Sequence, residues 1–108
     1  MVIRVEKPWG HEIIWACTEK YVGKILNVLA GHALSRQYHQ LKDETMYISS
    51  GEADIEINGT ITRMGPGSVI HIPPGTIHRV LAVTDVSILE ASTPELDDVV
   101  RLEDRYGR

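Results

Sequence analysis

Gln37 and His39 stand two residues apart, Glu44 follows a short polar segment, and His78 comes much later, after Pro73-Pro74-Gly75. On a β-strand, residues i and i+2 point to the same face, so Gln37 and His39 aim two donor atoms at one point. A sharp reversal through Gln40–Asp43 starts the next strand at Glu44 and brings its carboxylate to the same place. An amide oxygen, two imidazoles and a carboxylate form a ligand set for one divalent metal ion. A lone strand histidine is usually an ordinary core or surface residue. Four polar groups turned into a small core are different, because each unsatisfied one costs about 1–3 kcal/mol. A metal removes that cost from all four. His11, His32 and His71 lack such company and read as ordinary.

The elements that must hold these residues are short and β-rich. Glycine and proline punctuate the chain throughout, and no long helical period appears. The expected strands are Ile3–Val5, Glu12–Cys17, Gly23–Ala30, Ser35–His39 and Thr45–Ser50. They continue with Ala53–Asn58, Thr60–Arg63, Ser68–Ile72, His78–Val83 and Val86–Ala91. Ala53, Ile55 and Ile57 alternate with Asp54, Glu56 and Asn58, the clearest two-residue period in the sequence. Asn58-Gly59 predicts a type I′ hairpin turn. Many short strands with frequent turns argue for an all-β sandwich or barrel. From Ser92 onward the character changes. Thr93-Pro94-Glu95-Leu96 has the makings of one helical turn, and 92–108 reads as a charged tail whose Arg101, Arg105 and Arg108 either fold back over the pocket mouth or, the preferred reading, run into solvent.

Two stretches resemble the motifs of the cupin family. The first runs glycine, five residues, His-x-His, three or four residues, glutamate, six residues, glycine. Gly31, Gln37, His39, Glu44 and Gly51 fall in register with it, with Gln in place of the first His. The second runs glycine, five residues, Pro-x-Gly, two residues, His, three residues, Asn. Gly67, Pro73, Gly75 and His78 match it, and Ala82 stands where the family usually has Asn. The Gln-x-His variant, Lys7-Pro8-Trp9-Gly10 and the ending VVRLEDRYGR resemble the mannose-6-phosphate isomerase branch. The resemblance implies a jelly-roll barrel of two antiparallel sheets around one pocket. It implies a metal ion held by Gln37, His39, Glu44 and His78, with zinc preferred. The ligand chemistry itself leaves manganese, iron, cobalt and nickel open.

The chain has 108 residues, room for one domain, and a small domain gains stability by pairing. Its formal net charge is −4 with eleven scattered Lys and Arg, so there is no footprint for nucleic acid. No apolar run reaches the ~20 residues of a membrane span, and MVIRVEKPWG lacks a signal-peptide core. The single cysteine, Cys17, suits a reducing, cytoplasmic compartment.

The resemblance implies a metal-dependent isomerase or epimerase acting on a sugar or sugar phosphate. Such a reaction needs a base, for which Lys24, His71 or Glu44 are candidates. Lys24 also faces inward near one rim. Arg36 and Arg79, next to ligands in sequence, point away from the pocket. Trp9 reads as a plug at one end of the barrel. Two alternatives stay open: a non-catalytic sugar-binding module, and a metal-dependent oxygenase, against which Gln37 counts. A homodimer is expected through the edge segment Val2–Val5 and the apolar faces of Ile13–Trp15 and Ile25–Leu29.

Overall fold

The computed structural model describes residues 2–107. Among them there are eleven strands and no helix. They are β1 (Ile3–Lys7), β2 (Gly10–Cys17), β3 (Val22–Val28), β4 (Arg36–Tyr38), β5 (Glu44–Ser50), β6 (Ala53–Ile57), β7 (Thr60–Met64), β8 (Val69–Ile72), β9 (His78–Ala82), β10 (Val86–Ser92) and β11 (Val100–Glu103). All pair antiparallel, in a six-stranded sheet ordered β1-β2-β3-β10-β5-β8 and a five-stranded sheet ordered β11-β4-β9-β6-β7. From β3 onward the chain crosses between sheets at every step except the β6–β7 hairpin. That is the jelly-roll wiring, and it brings the ends of β4 and β5 together with β9, although β9 begins forty residues after β4 ends.

Alternation decides which side chains meet inside. Leu26 and Val28 of β3, Met46 and Ile48 of β5, Ile70 and Ile72 of β8, and Val86 and Ile88 of β10 fill the space from one sheet. Ala53, Ile55, Val80 and Ala82 fill it from the other. Asn58 and Gly59 both have positive φ, 47° and 89°, as the type I′ turn requires.

Two differences from the sequence reading stand out. The segment 93–96 forms no helical turn, since Pro94 and the bonds of its neighbours to the β4–β5 loop hold it in an irregular path. Nor are the described residues of the tail simply solvated: Val100–Glu103 is a strand, with Val100 opposite Tyr38 and Arg101 opposite Gln37, while Arg108 lies outside the described residues. Tyr106 packs against the core, its hydroxyl 2.7 Å from His32 Nδ1. Arg105 donates to Gly31 O. The charged composition hid this because Val99, Val100, Leu102 and Tyr106 show no regular period.

Gly31 and Gly51 share a left-handed φ of 80° but differ in their surroundings. A Cβ on Gly51 would lie 2.0 Å from Asp85 O, whereas one on Gly31 would meet nothing within 4 Å. Gly31→Ala is therefore expected to lose about 1–2 kcal/mol from backbone strain alone. Gly51→Ala adds a clash that the paired backbone cannot relieve, and its loss should exceed that range. Urea unfolding of the two variants checks the order.

Candidate functional site

The register of the strands delivers the predicted residues to one end of the barrel. β4 lies beside β9, with Gln37 opposite His78. His39 leaves the end of β4, and Glu44 opens β5 after a four-residue loop. His39, Glu44 and His78 are 4%, 2% and 2% exposed. One ligand atom from each lies within 4.8 Å of the others. His39 Nε2 is 3.6 Å from Glu44 Oε2, and His78 Nε2 is 3.4 Å from Glu44 Oε1. Gln37 faces the same cavity, its Oε1 accepting a 2.6 Å bond from Ser35 Oγ.

The hydrogen bonds around the two imidazoles fix their chemistry. His39 Nδ1 is 2.5 Å from Asp98 O, and His78 Nδ1 is 2.9 Å from Thr76 O. A carbonyl oxygen only accepts, so both Nδ1 atoms carry a proton and each ring turns its Nε2 toward Glu44, where the neutral tautomer presents a lone pair. His39 Nε2, His78 Nε2 and Glu44 Oε1 have no hydrogen-bond partner among the described residues. Three buried acceptors facing one another need a cation or a proton between them. Donors about 2.0–2.2 Å from a central zinc lie roughly 3.3–3.6 Å apart in tetrahedral geometry. The two N···O separations fall in that range, so the residues fit a divalent metal.

Glu44 Oε2 sits 2.9 Å from Lys42 Nζ, which also lies 3.1 Å from Glu90 Oε2. All three side chains are buried. Burial works against the charge on Glu44, yet its contacts with His39, His78 and Lys42 hold its pKa far below the usual carboxylate range. Burial pushes the His39 imidazolium down, but Glu44 and the Asp98 carbonyl outweigh it and the net shift is upward. Lys42 is likewise disfavoured by burial and raised on balance by Glu90 and Glu44. Glu90 is raised by burial and then by the charge of Glu44, with Lys42 and Lys24 opposing.

Of these groups, His39, Lys42 and Glu90 line a cavity of about 450 Å³. Its wall carries Gln37, His39, Lys42 and Glu90, and around them Lys7, Glu12, Lys24, Asp97 and Arg101. Lys24 Nζ is 3.6 Å from Glu12 Oε2, and Lys7 Nζ is 4.0 Å from its Oε1. Arg101 has no ion-pair partner among the described residues. Trp9 is 3% exposed and belongs to the core, but it also lines this cavity, so it is more than a plug. Arg36 and Arg79 do point away, bonding Glu56 in one case and Leu34 O and Glu103 in the other. His71 is on the outer face of its sheet, 2.7 Å from Asp43, and Ala82 is buried beside Val80.

Sequence reasoning missed Lys42 and Glu90, and preferred the wrong alternative for Arg101. Lys42 stands two residues before Glu44, the spacing that sets two side chains on one face. Glu90 occupies the inward phase of Val86, Ile88 and Glu90, where an apolar residue is expected. Arg101 is exposed, and the pairing of β11 with β4 is what places it at the cavity.

Asp98 binds the β4–β5 loop. Its Oδ1 accepts the Gln40 amide at 3.0 Å, and its Oδ2 accepts those of Leu41 and Lys42 at 2.7 and 2.9 Å. These bonds lower its pKa from 3.8. A lowered carboxylate contributes stability above its unfolded value and loses it as pH falls through the folded one. The stability difference between the wild type and Asp98→Ala should thus be constant from neutral pH down to the aspartate range, then close below it. Urea titrations across that range check this.

Residues 24–91 match the family described as the Cupin domain. The chain is 35% identical over 109 residues to the mannose-1-phosphate guanylyltransferase ManC of Salmonella typhimurium, an alignment covering 96% of this chain and 23% of that protein. It thus spans about a quarter of the length of the curated relatives it matches. Among solved structures, KdgF from Halomonas superposes with a TM-score of 0.77 at 21% identity, over 90% of this chain and 88% of that one. An RmlC-like cupin from Shewanella frigidimarina gives 0.80 at 13% identity, over 90% and 87%.

Proposed function

The chain belongs to the cupin family, and from that premise we propose that it is a metal-binding cupin acting on a sugar or sugar phosphate as an isomerase or epimerase. The observation that carries this reading is the meeting of three partnerless buried acceptors with a buried lysine–glutamate pair, which with His39 lines one polar cavity. His39, Glu44 and His78 would hold the ion, with Gln37 Oε1 as the fourth donor through its remaining lone pair. Two imidazoles, a carboxylate and an amide oxygen suit zinc. When bound, the ion supplies Lewis acidity toward a carbonyl or hydroxyl oxygen of the sugar.

The chain's own groups supply the rest. Aldose–ketose isomerisation moves a proton between adjacent carbons, and epimerisation removes and returns one at a single carbon. Burial makes the Glu90 carboxylate a stronger base than an ordinary glutamate, suited to accepting that proton. Lys42 Nζ, bonded to Glu90, holds an ammonium proton ready for a substrate oxygen. Lys24, directly opposite Glu90 in the β3–β10 ladder, remains a second candidate for proton transfer. Arg101 and Lys7 place positive charge on the same cavity, where a phosphate or sugar hydroxyls would find it.

The test is metal analysis of untagged protein, followed by a panel of sugar phosphates in D₂O read by NMR. Deuterium incorporation at the carbon next to the carbonyl supports the reading. Ligand-induced shifts without exchange support a non-catalytic sugar-binding module instead. Oxygen consumption with an iron-loaded sample would point to an oxygenase. Because both Nε2 atoms must be free of protons to bind, metal affinity is expected to fall as pH drops. The fall should begin above the ordinary histidine value of about 6.5, since burial of His39 is outweighed by Glu44 and the Asp98 carbonyl. Zinc competition titrations across pH 8 to 5.5 check the direction.

Dimerisation and compartment belong to the same reading. The outer face of the six-stranded sheet carries Ile13, Ile25, Leu89, Tyr47 and Val69 in register across five adjacent strands. Trp15 stands beside them, 53% exposed. Six strands at ~4.8 Å and seven residues at ~3.4 Å give roughly 700 Å², of the order that a standard interface buries on each partner. A second copy of the chain, packed sheet to sheet, fits this face. Leu26 and Val28, within the stretch first assigned to the interface, are buried in the core instead. Light scattering at micromolar concentration should give twice the 12.1 kDa chain mass. A persistent monomer would refute the dimer. Cys17, exposed and free, fits a reducing cytoplasm.

A further inference from the structure

The loop between His39 and Glu44 makes its backbone hydrogen bonds almost wholly to one distant segment. The amides of Gln40, Leu41 and Lys42 all donate to the Asp98 carboxylate, and that of Asp43 donates to Thr93 Oγ1 at 2.9 Å. In return, the Thr93 amide donates to Asp43 O at 3.0 Å. The Asp98 carbonyl takes the Nδ1 proton of His39. His78 is oriented differently, by the carbonyl of Thr76 two residues away on its own turn. One imidazole of the trio is therefore set locally, and the other depends on a residue fifty-nine positions further along the chain.

We infer that Asp98 is a positioning residue for the metal centre. Its side chain clamps the loop while its main chain selects the His39 tautomer, so that Nε2 faces Glu44 and Lys42 stays against Glu44 and Glu90. The clamp is itself held by β11, whose Val100 pairs with Tyr38 immediately before His39. The two ends of the loop and the segment that binds it thus form one closed unit. A carboxylate is required because it can accept three amides at once, whereas an asparagine offers one oxygen and an NH₂ that repels the remaining N–H groups. A carbonyl on the distal nitrogen fixes ring orientation and raises the ligand strength of the other nitrogen.

The role in metal binding rests on the metal reading above, but the role in setting His39 does not. Two measurements separate them. In metal-free protein, well above the imidazole titration range, ¹⁵N NMR should find His39 as the Nδ1–H tautomer and slow exchange at the amides of 40–42. Asp98→Ala keeps the carbonyl but frees the segment that carries it from the loop. It should therefore release those amides and, with the carbonyl no longer held against Nδ1, mix the tautomers; Asp98→Asn should do so partially. Thr93→Val, which removes an anchor from the same loop without touching His39, should leave the tautomer unchanged. In the second measurement, Zn²⁺ competition with a chelator should give a 10–100-fold weaker affinity for Asp98→Ala, the range of other outer-layer contacts at metal sites.

An unchanged tautomer in Asp98→Ala would overturn the proposal, as would an identical change in Thr93→Val. Unchanged Zn²⁺ affinity alongside a mixed tautomer would overturn the metal-positioning role. If wild-type protein takes up no Zn²⁺, the metal reading falls, and the tautomer still decides what Asp98 does. Should Asp98→Ala fail to fold, Asp98→Asn carries both measurements.

Discussion

Lys42→Met is expected to slow hydrogen exchange at the reacting carbon by roughly 10²–10⁴-fold, the usual contribution of a positioned acid or base. Metal occupancy should stay at wild-type level in the same sample. The two outcomes separate because Lys42 Nζ touches Glu44 through Oε2 and Glu90 through its carboxylate, while Glu44 Oε1 faces His78. Removing the ammonium takes away the proton held between the carboxylates but none of the donors facing one another. Methionine keeps most of the volume in the buried space, and Glu90 can stay neutral there, since burial already raises its pKa. Deuterium incorporation at an unchanged rate would remove Lys42 from the chemistry.

Metal removal carries the second large effect. A ligand that binds only the folded state at a hundredfold excess over its Kd stabilises by about 2.7 kcal/mol. At roughly 4 °C or more per kcal/mol for a chain of this size, chelation should lower Tm by about 10 °C or more. Glu44 connects this to the architecture. In the absence of an ion, its Oε1 and the two Nε2 atoms are buried acceptors without partners. The metal-free protein bears that cost and the loaded protein does not. His39→Ala with His78→Ala should abolish the chelator-sensitive part of Tm, leaving a folded protein with one lower, metal-independent transition. A Tm in wild-type protein that ignores both zinc and chelator would contradict this.

Much of the fold was legible because its signals are local. Alternation in Ala53–Ile57, the Asn58-Gly59 turn and the glycine and proline breaks place ten of the strands to within a few residues. His39, Glu44 and His78 were found through spacing and their match to the motifs. The inward charges were less visible. Glu12, Lys24 and Glu90 each stand in an apolar alternation at a position facing the interior, and they are tolerated because they line a cavity rather than the packed core. That distinction depends on how far apart the two sheets stand, which no single strand encodes.

What escaped entirely lies in 93–107. Strand β11 has only four residues, and its partner β4 only three, so neither carries enough alternation to announce a pairing. Asp98 gives no sign in sequence of the loop it binds more than fifty positions earlier. Its three acceptor bonds exist only once the jelly roll has closed.

The central claim is that His39, Glu44 and His78 hold one divalent ion in this cavity. Elemental analysis of untagged protein, purified without chelator, tests it most directly when paired with the His39→Ala, His78→Ala variant. One equivalent of divalent metal per wild-type chain, and none in the variant, is the expected result. Equal metal in both, or none in a wild-type protein offered zinc in excess, would contradict it.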